Sequence, residues 1–301
     1  MARSALAKPI RYRVEAVLAY GLFGLFRVLP IDLVSAIGGK LAGWFGPLSR
    51  AQRTAQRNLA RALPELTDQA RRKILADVWD NFGRVMTEYA ALSRLGSKPE
   101  SNRVEIQGLE HLAAATENGR PAIMYTAHIG SWEITAVTVG SHANTSALVY
   151  RAPNNPLVES LLRSTRGHAQ TTLIPKGAGG ARTIMRILKG GGFVQMAVDQ
   201  KMNTGLPISF MGRPAMTGDA VARLALRYGC ALIPAYSERL DGCRFRVTIE
   251  PPWTPEDTGD RDADVRSALE RVNRTMEAWI KRTPGQWLWL HNRWPKDETK
   301  A

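Results

Sequence analysis

From Val104 onward the sequence alternates short apolar runs with stretches of helical periodicity, the pattern of an α/β chain. The predicted strands cover 122–127, 147–150, 193–198, 231–236 and 245–249, and helices are expected near 156–167, 181–189, 219–228 and 264–282. Helical crossovers of this length join parallel strands, so a mixed, largely parallel central sheet flanked by helices is expected. Residues 251–262 are rich in proline and acid and read as a surface loop. The stretch from Gln286, with Trp287, Trp289 and Trp294, is too aromatic for a loose tail. A chain of 301 residues with 44% hydrophobic content has the material for a packed core.

The first hundred residues follow a different pattern. Arg3, Lys8, Arg11 and Arg13 precede an apolar run over 14–26 that ends at Arg27. That run is short for a membrane-spanning helix, which needs roughly 20 residues. A second apolar stretch over 28–48 is broken by Pro30, Asp32 and Lys40. A signal peptide has the same basic-then-apolar order, but 26–30 lacks small cleavage-site residues and the apolar character continues. The preferred reading is an uncleaved, membrane-associating helical segment over 1–48, its N-terminus cytoplasmic if it spans.

Residues 49–301 then form the second unit, with a helical lead-in over 49–100 and the α/β core over 103–301. Arg50, Arg53, Arg57 and Arg61 share one helical face, either solvated or lying on anionic lipid. Ile74, Val78, Phe82, Val85 and Tyr89 predict a helix over 68–95, and 96–102 reads as a linker.

Forty-one basic against 27 acidic residues leave a net charge of +14. A field of that sign favours polyanionic partners: nucleic acid, anionic lipid, phosphorylated glycolipid or an acidic carrier protein. Nucleic acid has the charge in its favour but no recognisable binding module. Cys230 and Cys243 have neither the spacing nor the histidine neighbours of a zinc site or disulfide framework. No metalloprotease motif, serine elbow or cysteine–histidine pair is present. Gly177–Gly180 and Gly190–Gly192 lack phosphate-loop spacing and read as turns around a helix bearing Arg182, Arg186 and Lys189.

The most specific local signal is His128-Ile-Gly-Ser-Trp-Glu133. Positions five apart differ by about 140° around a helix, so the two side chains converge only across a turn. The sequence supplies one: the apolar run ends at Ala127, Gly130 gives backbone freedom, and Ser131 suits a helix N-cap. Glu133 in the first helical turn then favours its ionised form and can hold the imidazole in one tautomer. His128 would act as a general base toward a hydroxyl group. An isolated box of this kind is more commonly structural. Arg151 and Asp199, however, follow predicted strands as His128 does, and parallel strands bring all three to the edge where α/β proteins bind ligands.

With these residues assembled, the chain resembles the lipid A secondary acyltransferases, of lauroyl and myristoyl type, within the lysophospholipid acyltransferase superfamily. The likeness runs through Arg57-Asn58-Leu59, the His128–Glu133 box, Tyr150-Arg151 with Asn155-Pro156, and Asp199-Gln200. It continues through Phe210-x-Gly212-Arg213-Pro-Ala-x-Thr217, Ile233-Pro234 with Arg239, and Trp289-x-His291-x-Arg293-Trp294. The resemblance implies acyl transfer from acyl carrier protein to a hydroxyl of a phosphorylated, Kdo-bearing lipid A precursor. That reaction takes place at the cytoplasmic face of a bacterial inner membrane, whose anionic surface would be a further partner.

It further implies that His128 is the base, that Glu133 orients and charges it, and that Arg151 meets the oxyanion or an anionic head group. Asp199 is assigned a structural or substrate contact, and Gly212, Arg213 and Thr217 are assigned to substrate binding. No cofactor, metal or nucleic acid is expected, because a thioester is already activated. Met211, Lys201 and Asn292 depart from the family's usual residues, which leaves acyl length and acceptor position open. Another glycolipid or phospholipid acceptor remains an alternative, as does a non-catalytic basic membrane-binding protein.

Overall fold

The computed structural model describes residues 2–96, 102–143, 145–166 and 171–295. Its N-terminal part is helical: α1 (Ala2–Val28), α2 (Ile31–Phe45), α3 (Arg50–Ala62), α4 (Asp68–Glu88) and α5 (Leu92–Gly96). Pro30 separates the first two helices. The Thr67 hydroxyl caps α4 by accepting from the Ala70 N–H at 3.2 Å. The helix expected over 68–95 is interrupted at Tyr89–Ala91 by a single 3-10 turn, which turns Tyr89 toward the later core. Most of the expected linker over 96–102 lies outside the described residues.

Alpha helices α2 and α4 cross at glycine: a Cβ on Gly83 would lie 2.1 Å from the Gly38 carbonyl oxygen. Along α1 and α2, Val17, Leu18, Val28, Trp44 and Phe45 are exposed. No helix among the described residues is long and apolar enough to cross a membrane.

The strands are β1 (Val104–Gln107), β2 (Ala122–Thr126), β3 (Ser146–Tyr150), β4 (Thr171–Pro175), β5 (Phe193–Ala197), β6 (Lys201–Phe210), β7 (Arg213–Thr217), β8 (Ala231–Asp241) and β9 (Arg244–Ile249). Seven form one sheet in the order β1-β9-β8-β2-β5-β3-β4. Every neighbouring pair is parallel except the β8–β9 hairpin. The fold is therefore α/β with a largely parallel sheet, as its alternation predicts. Beta strands β6 and β7 form a separate antiparallel hairpin. This hairpin, β1 and β4 have no counterpart among the expected strands. The hairpin's polar, proline-interrupted sequence hides its alternation.

The remaining helices are α6 (Leu109–Thr116), α7 (Trp132–Ser141), α8 (Pro156–Arg166), α9 (Ala178–Lys189), α10 (Ala220–Tyr228) and α11 (Arg261–Arg282). Helix α9 starts at Ala178, so Gly179 and Gly180 lie inside it rather than in the turn expected there. Alternation within the strands divides the core between the two faces of the sheet. Ile123, Tyr125, Val194 and Leu232 pack with α10, α11 and the C-terminal tryptophans. Met124, Phe193, Ile233 and Phe245 pack with α6 and α7. Trp287, Trp289 and Trp294 are all buried.

The helical lead-in is locked to the sheet by a buried ion pair. Arg239 on β8 donates to both oxygens of Glu88, at 2.6 and 2.9 Å, and to Asn81 Oδ1 at 2.9 Å. Both cysteines are buried and free, and burial pushes each thiol up to about 12.

Candidate active site

The chain leaves β2 at Thr126 and bends sharply before α7. Gly130 makes the bend possible, with φ at +58° and only 2.0 Å between its hypothetical Cβ and the Ser237 carbonyl oxygen. His128 lies in the bend and Glu133 in the first turn of α7, the arrangement their spacing demands. Ser131 takes the N-cap position without a side-chain capping bond. Its N–H donates to Ser237 Oγ at 3.0 Å instead.

The C-terminal segment fixes this bend. Ile129 bridges antiparallel to Trp287, and the Leu288 N–H donates to the His128 carbonyl at 2.9 Å. The Gly130 N–H donates to the Gln286 carbonyl at 3.0 Å, and Asn81 Nδ2 donates to the Gly130 carbonyl at 2.9 Å.

The carboxylate on His128 Nδ1 is that of Asp199, at 2.7 Å, rather than the Glu133 carboxylate assigned to it from sequence. Asp199 has no exposed surface, so the substrate contact considered for it is corrected to an internal one. Its Oδ2 accepts from the His128 backbone N–H at 2.9 Å and from Trp287 Nε1–H at 2.8 Å. Burial pushes this carboxyl up. The charge and hydrogen bonds of His128, joined by His291, pull it down further, and it ionises well below the usual carboxylate range.

A carboxylate at Nδ1 keeps the proton on that nitrogen and leaves the Nε2 lone pair available. Gln200 Nε2 stands 3.5 Å from it. Nearby, His291 donates through Nδ1 to the Leu288 carbonyl at 2.7 Å, and burial lowers its own proton affinity.

His128 opens on a cleft of about 520 Å³. Met86, Met124, Ala136, Leu148 and Met196 give it apolar walls, and Glu133, Arg151, Lys176 and Gln200 also line it. Tyr89 donates to Glu133 Oε1 at 2.5 Å, which fixes that carboxylate in the wall. Parallel strands β2, β3 and β5 thus bring His128, Arg151 and Asp199 to one edge of the sheet.

The other sequence candidates lie elsewhere. Met211 and Gly212, both at positive φ, form the tip of the β6–β7 hairpin, and Arg213 begins β7 exposed. Thr217 is buried, and its Oγ1 accepts from Arg293 Nη2 at 2.8 Å. None of Gly212, Arg213 and Thr217 lines the cleft. Arg293 is itself fully buried over the Phe210 ring, and burial lowers it to about 10. Of the departing residues, Asn292 accepts from Arg57 at 2.6 Å, and the Met211 N–H donates to Glu277 at 2.8 Å. Tyr89, Lys176 and Trp287 join the site without being among the sequence candidates, and of the three Trp287 alone carries a sequence signal of burial, a tryptophan in a segment too aromatic to be loose.

An α/β domain with a buried aspartate bonded to a cleft-facing histidine has the parts of an enzyme that uses a general base on a substrate with an apolar portion. Sequence comparison narrows this class: the model of the bacterial lipid A biosynthesis acyltransferases matches residues 4–296. The chain belongs to that family. It is 26% identical to the lipid A biosynthesis palmitoleoyltransferase of Escherichia coli (strain K12), over 91% of this chain and 88% of that protein. It is 25% identical to the lauroyltransferase of the same strain, over 92% and 90%. Similarity extends to the phosphatidylinositol mannoside acyltransferase of Mycobacterium tuberculosis (strain CDC 1551 / Oshkosh), 23% identical over 82% of this chain and 78% of that protein.

Proposed function

We propose that the protein moves a fatty acyl chain from an acyl carrier protein thioester to a hydroxyl of a Kdo-bearing lipid A precursor. The observation that carries this reading is the His128–Asp199 pair at the head of an apolar-walled cleft. His128 Nε2 takes the proton of the acceptor hydroxyl while its oxygen attacks the thioester carbonyl carbon. Asp199 holds the imidazole and offsets the charge it gains. The tetrahedral intermediate collapses as the carbon–sulfur bond breaks, and the imidazolium returns its proton to the departing thiolate. The acyl chain lies along Met124, Leu148 and Ala136.

Arg151 at the mouth meets the oxyanion or an anionic head group. Glu133, held by Tyr89, forms the wall that the acceptor passes. Gly212, Arg213 and Thr217 lie outside the cleft, so in place of the substrate binding implied for them we assign them to shaping the β6–β7 hairpin.

The reaction is assigned to the cytoplasmic face of a bacterial inner membrane. The exposed apolar side chains of α1 and α2, interspersed with Arg11, Arg13, Arg27 and Lys40, suit a helix lying in the interface. Each basic group near anionic lipid adds roughly 1 kcal/mol. An acidic carrier protein and a phosphorylated acceptor both suit a +14 chain.

The test is incubation of the protein with acyl carrier thioesters and the precursor. Mass spectrometry of lipid A from cells with and without the gene complements it. Absence of an acylated product in vitro, with an unchanged lipid A mass in cells, overturns the proposal. A mannosylated phosphatidylinositol acceptor is the second reading, favoured by the mycobacterial relative, and the same assay with that acceptor decides between them.

A further inference from the structure

Several cations near the surface of this protein stand beside a carboxylate, as Arg103 does with Asp32, Arg223 with Asp219 and Arg246 with Glu105. Two cations at the cleft do not. Arg151 follows β3 and Lys176 follows β4, and the last paired residues of those strands are Tyr150 and Pro175. The Lys176 N–H donates to the Tyr150 carbonyl at 2.9 Å, so the two chains leave the sheet at one level. Parallel neighbours lie about 4.8 Å apart.

Two like charges therefore stand side by side on the rim of the cleft that holds His128. Neither side chain has a hydrogen-bond or carboxylate partner among the described residues. Juxtaposed, unpaired cations repel, and a bound anion removes that cost. A guanidinium engages two oxygens of a phosphate bidentately, and an ammonium beside it adds a point charge on the same group.

We infer that Arg151 and Lys176 form a phosphate subsite at the mouth of the cleft, which receives a phosphate ester carried by one of the two substrates. The subsite itself stands on this geometry. The source of its phosphate rests on the acyl-transfer reading: either the phosphopantetheine arm of the donor or a phosphate on the acceptor glycolipid.

Labelling of exposed amines in the intact protein, read by mass spectrometry, tests the subsite without turnover. At matched ionic strength, inorganic phosphate is expected to slow labelling of Lys176 about threefold or more relative to chloride or acetate. Exposed Lys189 serves as the control and is expected to be unaffected, and Arg151→Gln is expected to remove the protection. Equal labelling of Lys176 in all three salts overturns the subsite, as does protection that Lys189 shares.

Transfer kinetics then identify the source. In Lys176→Gln, a KM rise of about fivefold for an acyl-phosphopantetheine donor, absent for acyl-pantetheine, assigns the donor. The same rise for a phosphorylated acceptor, absent for its dephosphorylated form, assigns the acceptor. A KM that ignores phosphate on both substrates overturns the inference. Protection of Lys176 without any acyl transfer overturns the acyltransferase reading and leaves the subsite standing.

Discussion

Two carboxylates serve this cleft, and they differ in almost every physical respect. Asp199 is sealed from solvent, accepts three hydrogen bonds and faces the imidazole. Glu133 is close to His128 in sequence, yet it lines the cavity and accepts from the Tyr89 phenol. The carboxylate bonded to His128 follows another strand, and the carboxylate of the sequence box faces the cleft. Nearness along the chain identifies who shares a site; nearness in space identifies who shares a proton.

The sharpest way to break this contrast is to remove each charge in turn. Asp199→Asn is expected to lower kcat by about 10²–10⁴-fold, as much as His128→Ala, because the imidazole loses its tautomer and its counter-charge. Glu133→Gln is expected to cost clearly less in kcat. Steady-state transfer rates of the three variants decide, and an equal collapse in Glu133→Gln would return the orienting role to that residue.

A smaller effect tests the third donor. Trp287→Phe deletes the N–H on Asp199 Oδ2 while keeping the packing, and a hydrogen bond to a charged group is worth about 1.5–3 kcal/mol. The expected result is roughly a tenfold or greater fall in kcat with KM unchanged; a change confined to KM contradicts an action through Asp199. Tyr89→Phe probes the other carboxylate. It is expected to raise the KM for acceptor a few-fold and leave kcat nearly intact, measured with donor saturating.

The smallest expected effect lies in stability. The folded Asp199 carboxyl ionises below its unfolded value of about 3.9, so its contribution is complete above that pH and fades as the pH falls below it. Urea unfolding should therefore show a gap between wild type and Asp199→Asn near pH 6 that narrows near pH 3. A gap that widens in acid is the contrary result.

Much of this was legible in the sequence because local rules governed it. The central strands β2 and β3 are near-continuous apolar runs, and Gly130 with Ser131 announces the turn that brings His128 and Glu133 near one another. The edge shared by His128, Arg151 and Asp199 followed from strand ends alone. The His128–Asp199 pairing did not, because two residues on different strands carry no mutual spacing. Tyr89 is not legible because the helical periodicity continues through a point where the chain breaks into a 3-10 turn. Trp287 was legible as buried but not as a donor to Asp199, which only the crossing of the C-terminal segment reveals. Lys176 followed a strand whose threonines and proline masked it.

That crossing has a consequence for how the enzyme comes into being. The bend bearing His128 is synthesised long before Gln286, Trp287 and Leu288, yet those residues supply its bridge and the indole on Asp199. On a ribosome the chain therefore carries an unfinished His128 bend through most of its synthesis, while helices α1 and α2 have already emerged. The His128–Asp199 pair gains its indole donor only when that later segment threads into place.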